Sequence, residues 1–368
     1  MGKRIMHVIT DSNIGGAGRL LLAFLKEYDR SAFDVEVVLP QGSALSAYIG
    51  ALGVEYTELP NMAESSFSWN GMSVLYHFIK MRQPDLVHTH ASLAGRIGAK
   101  LCRCKIVHSR HYCVYPPSRR STRFPFKQAA GFVNHFFSHA IVAVASEVKK
   151  GLIETGTRAE HIALIPNGVT PVRKLSADEK ATVRGRFGIK PDDFVVTQIA
   201  RLSEVKGHDY TLDTAKILAK DSSIVVLLAG DGPMEAHINQ RIADEKIKNV
   251  RMAGFVSDVD EIFGITDVQI NASFTEAACL SLLEGLSAGV PSVATHVGGN
   301  PQIISHGKNG LLVPVRDAQA MADAVLSLKK DTALYQKLSA EAVADYHANY
   351  HASKMTRDIE SLYRSILS

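Results

Sequence analysis

Short apolar runs alternate along the chain with stretches in which apolar positions recur every three or four residues. The runs Ile5–Thr10, Asp34–Leu39, Leu86–His90, Ile106–His108, Ala140–Val144 and Ile162–Ile165 predict one series of strands. Val195–Ala200, Ile224–Gly230, Val250–Ala253, Val268–Ile270, Ser292–Thr295 and Leu311–Val313 predict a second. Segments such as Arg19–Tyr28 and Asp209–Lys220 have helical spacing between them. Near-continuous apolar strands separated by helices imply parallel sheets covered on both faces, so the class is α/β. The turn-rich Pro166–Pro171 marks a junction, and the charged, helix-like Ala177–Phe187 leads into the second unit. The expected organisation is therefore a domain over 1–168 and a similar one over 169–345. In the terminal segment 346–368, Met355, Ile359, Leu362 and Ile366 at helical spacing predict an amphipathic helix that packs back on the first domain.

Composition adds limits. A chain of 368 residues is long for one core and right for two. No apolar run approaches the roughly 20 residues of a membrane span. The apolar start of the chain ends at Asp11, so it reads as a strand and not a signal peptide. Cys102, Cys104, Cys113 and Cys279 do not suggest a disulfide framework, which favours a cytoplasmic location. The formal charge of +4 is unevenly placed. Between Asp85 and Glu147 there is no acid but nine bases: Arg96, Lys100, Arg103, Lys105, Arg110, Arg119, Arg120, Arg123 and Lys127. Without those nine, 32 bases face 37 acids.

Four groups of residues carry candidate chemistry. The turn Ile14-Gly-Gly-Ala-Gly18 follows a strand and opens a helix, where α/β proteins bind phosphates. A dinucleotide fingerprint would want a third glycine near Leu21 and an acid near Pro40-Gln41, so an NAD site is disfavoured. Arg201 and Lys206 follow the first strand of the second series; Arg as a fork and Lys as a point charge suit a diphosphate. Glu276 and Glu284 bracket a helix start that would attract an anion. On one helix they would stand about 12 Å apart, beyond the ~5 Å or ~6.5–9.5 Å of a two-carboxylate hydrolase, which discounts that reading unless a loop at Glu276 shortens the distance. The pair instead suits a ligand with both phosphate and polyol groups.

Cys102, Cys104, His108, His111 and Cys113 lack the spacing of common zinc sites, so no metal is assigned. For His88 and His90, packing or exposure stands beside a site role. The basic segment 96–137 includes Tyr112, Tyr115, Phe124, Phe126, Phe132, Phe136 and Phe137. It fits an anionic membrane surface better than nucleic acid, for which no recognised module is present. The bland alternative is a solvated helix face with core aromatics.

These residues together resemble retaining nucleotide-sugar glycosyltransferases of the GT4 type. The signature is Ser273–Pro314, supported by Ile14–Gly18, His88-Thr-His90, Pro166-Asn-Gly168, Ala200–Gly207, Ala229–Pro233 and Arg251–Val256. The resemblance implies a GT-B fold, two Rossmann-like α/β/α domains with an interdomain cleft, and a metal-independent reaction with a UDP-sugar as donor substrate and no other cofactor. It implies that Glu284 holds the ribose, that Arg201 and Lys206 neutralise the diphosphate with N–H groups at Leu280 and Ser281, and that Phe255 and Val256 contact the base. Glu276 would face the donor sugar, Gly15 and Gly16 would approach from the other domain, and His111 would reach the sugar.

Two departures from the family pattern stand out. Ala277-Ala278-Cys279 replaces Gly-Phe-Gly in the sugar pocket, and Gly285 replaces a commoner alanine, which would weaken its helix by about 0.5–1 kcal/mol. The expected activity is transfer of a hexose or N-acetylhexosamine to a sugar or lipid-linked acceptor in cell-envelope glycan assembly. The enzyme would be peripheral on the inner face of the cytoplasmic membrane. A GDP-mannose-dependent transferase and a catalytically weak binding subunit stand as alternatives.

Overall fold

A computed structural model describes residues 2–62, 66–112 and 117–368. The chain divides into two compact units, Met1–Val169 with His351–Ser368, and Thr170–Tyr350. The first unit holds β1 (Lys3–Ile9), β2 (Phe33–Pro40), β3 (Glu55–Leu59), β4 (Leu86–His90), β5 (Lys105–Arg110), β6 (Ala140–Ala143) and β7 (Ile162–Leu164). They form one parallel sheet in the order β3-β2-β1-β4-β5-β6-β7. The second unit holds β8 (Phe194–Ile199), β9 (Ile224–Ala229), β10 (Val250–Gly254), β11 (Val268–Asn271), β12 (Ser292–Thr295) and β13 (Gly310–Val313). Its parallel order is β10-β9-β8-β11-β12-β13. Both are Rossmann-like α/β units.

Five helices matter below: α1 (Gly16–Glu27), α2 (Phe126–Phe136), α3 (His208–Leu218), α4 (Leu280–Ala288) and α5 (Ala352–Leu367). Central strands are buried on both faces, as β4 and β9 are along their whole length. That burial explains why β9 runs apolar along its whole length instead of alternating. In the second unit, Val196, Leu212, Val226, Leu228, Ile270 and Val325 form the core on one side of the sheet. Val195, Val225, Leu227 and Ile262 form it on the other.

Two details differ from the sequence reading. Strand β3 is additional: it lies at the sheet edge and its Glu55-Tyr-Thr-Glu-Leu59 is exposed or half-buried, so it lacks an apolar run. The terminal boundary also moves. Tyr346–Tyr350 forms a π turn continuing the preceding helix, with Tyr346 fully buried, and belongs to the second unit. Helix α5 alone returns to the first unit. It packs on α1, and its Glu360 accepts a hydrogen bond from the Asp29 N–H at 2.7 Å.

Candidate active site

In each sheet the strand order reverses direction once, between β1 and β4 and between β8 and β11. Open α/β sheets bind ligands outside the carboxyl ends of the strands at this point. In the second unit the loop after β8 carries Arg201, and a single 3₁₀ turn at Glu204–Lys206 brings Lys206 to the head of α3. Glycines shape this loop. Gly207 has φ +66°, and a Cβ there would stand 2.1 Å from the Ala272 carbonyl oxygen. Gly230, φ +144°, admits the Ala200 carbonyl where a Cβ would approach it to 2.0 Å. The Leu202 N–H donates to the Asp231 carbonyl at 2.7 Å, and the Phe274 N–H to that of Val205 at 2.8 Å. The loops after β8, β9 and β11 are thus knitted together. Arg201 is left exposed, and Phe255, beyond β10, is exposed as well, while Val256 packs on the core.

Glu276 lies in the loop before α4, not on the helix, so the helical distance to Glu284 does not apply. It is buried, and its Oε1 receives Lys206 Nζ at 2.6 Å, Ser273 Oγ at 2.6 Å and Asn271 Nδ2 at 3.3 Å. The two residues assigned separate tasks from the sequence are therefore an ion pair. Glu284 is buried on α4. The start of α4 has no side-chain cap and no acid in its first turn, so the N–H groups of Leu280 and Ser281 carry the positive end of the helix.

Residues that the sequence reading gave no task hold this loop. A Cβ at Gly298 would sit 1.9 Å from the Glu276 carbonyl oxygen, and one at Gly299 would sit 1.9 Å from that of Ala277. The Gly299 N–H donates to the Glu276 carbonyl at 3.0 Å. Thr295 Oγ1 donates to the Ser273 carbonyl at 2.7 Å, and Asn300 Nδ2 to Asn271 Oδ1 at 3.2 Å. Only the Gly-Gly turn signalled this in the sequence. Gly285 also has a structural reason. A Cβ there would meet Gln269 Oε1 at 2.2 Å, so the expected loss of helix propensity is set against room for that buried side chain.

In the first unit Gly15 caps α1 and Gly16 begins it. Strand pairing sets His7 beside His88, Ile9 beside His90 and Thr89 beside His108. His88 and His90 are buried, not exposed, and His7 and His108 join them. His111, just past β5, meets His90, its Nε2 at 3.0 Å from His90 Nδ1. Burial pulls His7 down to about 3 and His111 to about 4, and drives His88, His90 and His108 well below the usual imidazole value. Among the described residues the tempting cysteine–histidine cluster does not assemble. Cys102 and Cys104 precede β5 at the end of the sheet remote from His111, and Cys102 Sγ lies against the Tyr76 carbonyl at 3.6 Å. Cys113 falls outside the described residues.

The basic segment is partly redistributed. Arg96 is buried and donates to the Val133 carbonyl at 3.0 Å and the Phe137 carbonyl at 3.2 Å, so it is a structural cation. Among the described aromatics of this segment, Phe137 is half-buried and the rest are exposed. Phe124 is 80% exposed and Phe132 63%, and Phe126 and Phe136 are exposed too. Phe132 stacks on Phe136 along α2 at 5.4 Å, Lys100 Nζ stands 4.7 Å from the Phe136 ring, and Arg120 lies 4.4 Å from that of Phe126. Tyr115 lies outside the described residues.

Comparison with known proteins places this arrangement. The model of the Glycosyltransferase Family 4 domain matches residues 14–173, and that of Glycosyl transferases group 1 matches 179–344. The chain belongs to the GT4-type glycosyltransferases. It is 24% identical over 345 residues to the UDP-Gal:alpha-D-GlcNAc-diphosphoundecaprenol alpha-1,3-galactosyltransferase of Escherichia coli, covering 90% of this chain and 89% of that one. It is 28% identical over 273 residues to the putative glycosyltransferase EpsD of Bacillus subtilis, covering 70% of each. The Anabaena HepE structure in complex with UDP-glucose superposes with a TM-score of 0.85 at 21% identity, over 98% of this chain and 99% of that one. The fold is accordingly GT-B. In this glycosyltransferase the departing tripeptide is tightly held: Ala277 and Cys279 are buried, and burial with the neighbouring Glu276 charge raises the Cys279 thiol to about 11. Cys279 is therefore a neutral, packed thiol.

Proposed function

We propose that this glycosyltransferase moves a hexose or N-acetylhexosamine from a UDP-sugar to a lipid-linked acceptor with retention of anomeric configuration and without a metal. The observation that carries the reading is the convergence of the Arg201 loop, the Lys206–Glu276 pair and the uncapped start of α4 at the β8/β11 switch point. As the bond from sugar to diphosphate breaks, negative charge grows on the leaving group. Arg201, Lys206 and the N–H groups of Leu280 and Ser281 oppose that charge, and such preorganised donors stabilise the transition state more than the ground state. Glu284 holds the ribose, Phe255 and Val256 contact the base, and Glu276 faces the sugar. In the first unit Gly15, Gly16 and His111 are the candidate ligand contacts. The UDP-glucose complex of HepE and the UDP-galactose named for the Escherichia coli relative support a UDP donor.

The lipid acceptor is supported by the diphosphoundecaprenol in that relative's name and by the exposed Phe124, Phe126, Phe132 and Phe136 among Arg119, Arg120 and Arg123. Aromatics bury in a lipid interface while each base near an anionic surface contributes about 1 kcal/mol. On this reading the enzyme works on the inner face of the cytoplasmic membrane. Thermal shift across UDP-glucose, UDP-galactose, their N-acetylamino forms and GDP-mannose tests the donor class, since a bound donor stabilises the fold by mass action. Stabilisation by a UDP-sugar is expected; stabilisation by GDP-mannose alone would overturn the UDP assignment.

A further inference from the structure

The proposed reaction employs one histidine of the first unit, His111, yet three more stand behind it in a single file. Ser109 Oγ lies 2.7 Å from His88 Nε2, and His88 Nδ1 lies 2.5 Å from the Tyr363 hydroxyl. That hydroxyl lies 3.2 Å from His7 Nε2, His7 Nδ1 lies 3.1 Å from His90 Nε2, and His90 Nδ1 lies 3.0 Å from His111 Nε2. The last atom of the file, His111 Nδ1, is shut off from solvent and has no hydrogen-bond partner among the described residues. Tyr363 is fully buried on α5, its ring edge-on to His88 and Phe33.

His7, His88 and His90 also have ligand atoms within 4.8 Å of one another, as a metal site would need. Their rings argue otherwise. Both nitrogens of each ring already have partners in the file.

Burial keeps these imidazoles neutral, and a neutral imidazole has one N–H and one lone pair. Every link then needs one donor and one acceptor. Only two arrangements satisfy all five links and also use the proton of the buried Tyr363 hydroxyl. In one, His7, His88, His90 and His111 all carry their proton on Nδ1, with Tyr363 donating to His7 and Ser109 to His88. In the other, all four carry it on Nε2, and Tyr363 donates to His88. In the first, His111 Nδ1 is a donor; in the second, it is an acceptor. We propose that the four histidines are one tautomeric unit coupled through the Tyr363 hydroxyl, and that Tyr363 is a positioning residue that sets whether His111 Nδ1 is a donor or an acceptor. The coupling stands on the geometry alone; what His111 faces rests on the proposed function.

Long-range ¹H–¹⁵N spectra of the histidine side chains test this, since protonated and bare ring nitrogens give distinct signals. Replacing each histidine in turn assigns the signals. The wild-type protein should show the same tautomer at His7, His88, His90 and His111; a mixed set would overturn the proposal. In Tyr363→Phe, the His111 signals should change, although His111 is three hydrogen bonds away, while the backbone amides of β4 and β5 keep their positions. His111 signals identical to wild type would overturn the positioning role. The wild-type pattern decides the coupling even should Tyr363→Phe not fold. With a UDP-sugar that is turned over, Tyr363→Phe should lower kcat about fivefold, the worth of one ordinary hydrogen bond. A shared tautomer with unchanged turnover would uphold the coupling and refute the sugar-facing role of His111.

Discussion

Acid should loosen the first unit well before the second. His7 and His111 titrate at about 3 and about 4 in the fold because burial disfavours their charged forms. Unfolded, they return to roughly 6.5. A folded value below the unfolded one means that stability is fully present above pH 6.5 and is lost as pH falls below it. Between pH 7 and pH 5 each residue therefore costs about 2 kcal/mol, at about 1.4 kcal/mol per unit of pH below the unfolded value. The two together cost about 4 kcal/mol, against the 5–15 kcal/mol typical of a whole domain. His88, His90 and His108 shift the same way for the same reason and add to the loss. In the second unit only His208, at about 4, is a buried histidine of this kind among the described residues. Most carboxylates titrate below this window. Hydrogen exchange with mass spectrometry, corrected for intrinsic rates, reads the units separately. Peptides covering Leu86–His90 and Lys105–Arg110 should lose several kcal/mol of protection at pH 5, and those covering Ser292–Thr295 far less. Equal protection of β4 and β5 at both pH values would refute the reasoning.

Other predictions follow from the same contacts. Arg201→Ala should lower kcat at least tenfold with little change in melting temperature, because Arg201 is exposed and a charge-assisted contact contributes about 1.5–3 kcal/mol. Lys206→Ala is a less clean test: it strands the buried Glu276 carboxylate, and denaturant titration should show a loss of stability approaching the ~3–5 kcal/mol of a broken buried pair. Gly299→Ala should abolish UDP binding in calorimetry, since its Cβ would collide with the Ala277 carbonyl and displace the Glu276 loop. Phe132→Glu should reduce flotation with anionic vesicles and leave UDP binding at the wild-type level; flotation equal to wild type would exclude α2 as the membrane face.

The second unit was legible because its strands are short, mostly apolar runs separated by helices, and only the edge strands β10 and β13 are half-buried. The first was legible except for β3, whose edge position leaves Glu55, Tyr56 and Glu58 at least partly in water. The candidate site was legible as a set of loops, because each follows a strand and carries a charge or a glycine. Its pairings were not. Lys206 and Glu276 are 70 positions apart, and which charge meets which depends on β8 and β11 being neighbours. The histidine file is hidden for the same reason: His7, His88 and His90 lie on two strands that only the sheet order makes adjacent, and Tyr363 arrives from the far end of the chain. A histidine within an apolar strand was the one available signal.

The central claim is transfer from a UDP-sugar to a lipid-linked acceptor, aided by the Arg201 loop. The most direct measurement is UDP release from a panel of UDP-sugars, with and without a polyprenyl-diphosphate-linked sugar, for wild type and Arg201→Ala. Acceptor-dependent release from at least one donor is expected, with a loss of tenfold or more in the variant. No acceptor-dependent release from any UDP-sugar, or equal release by the variant, would contradict it.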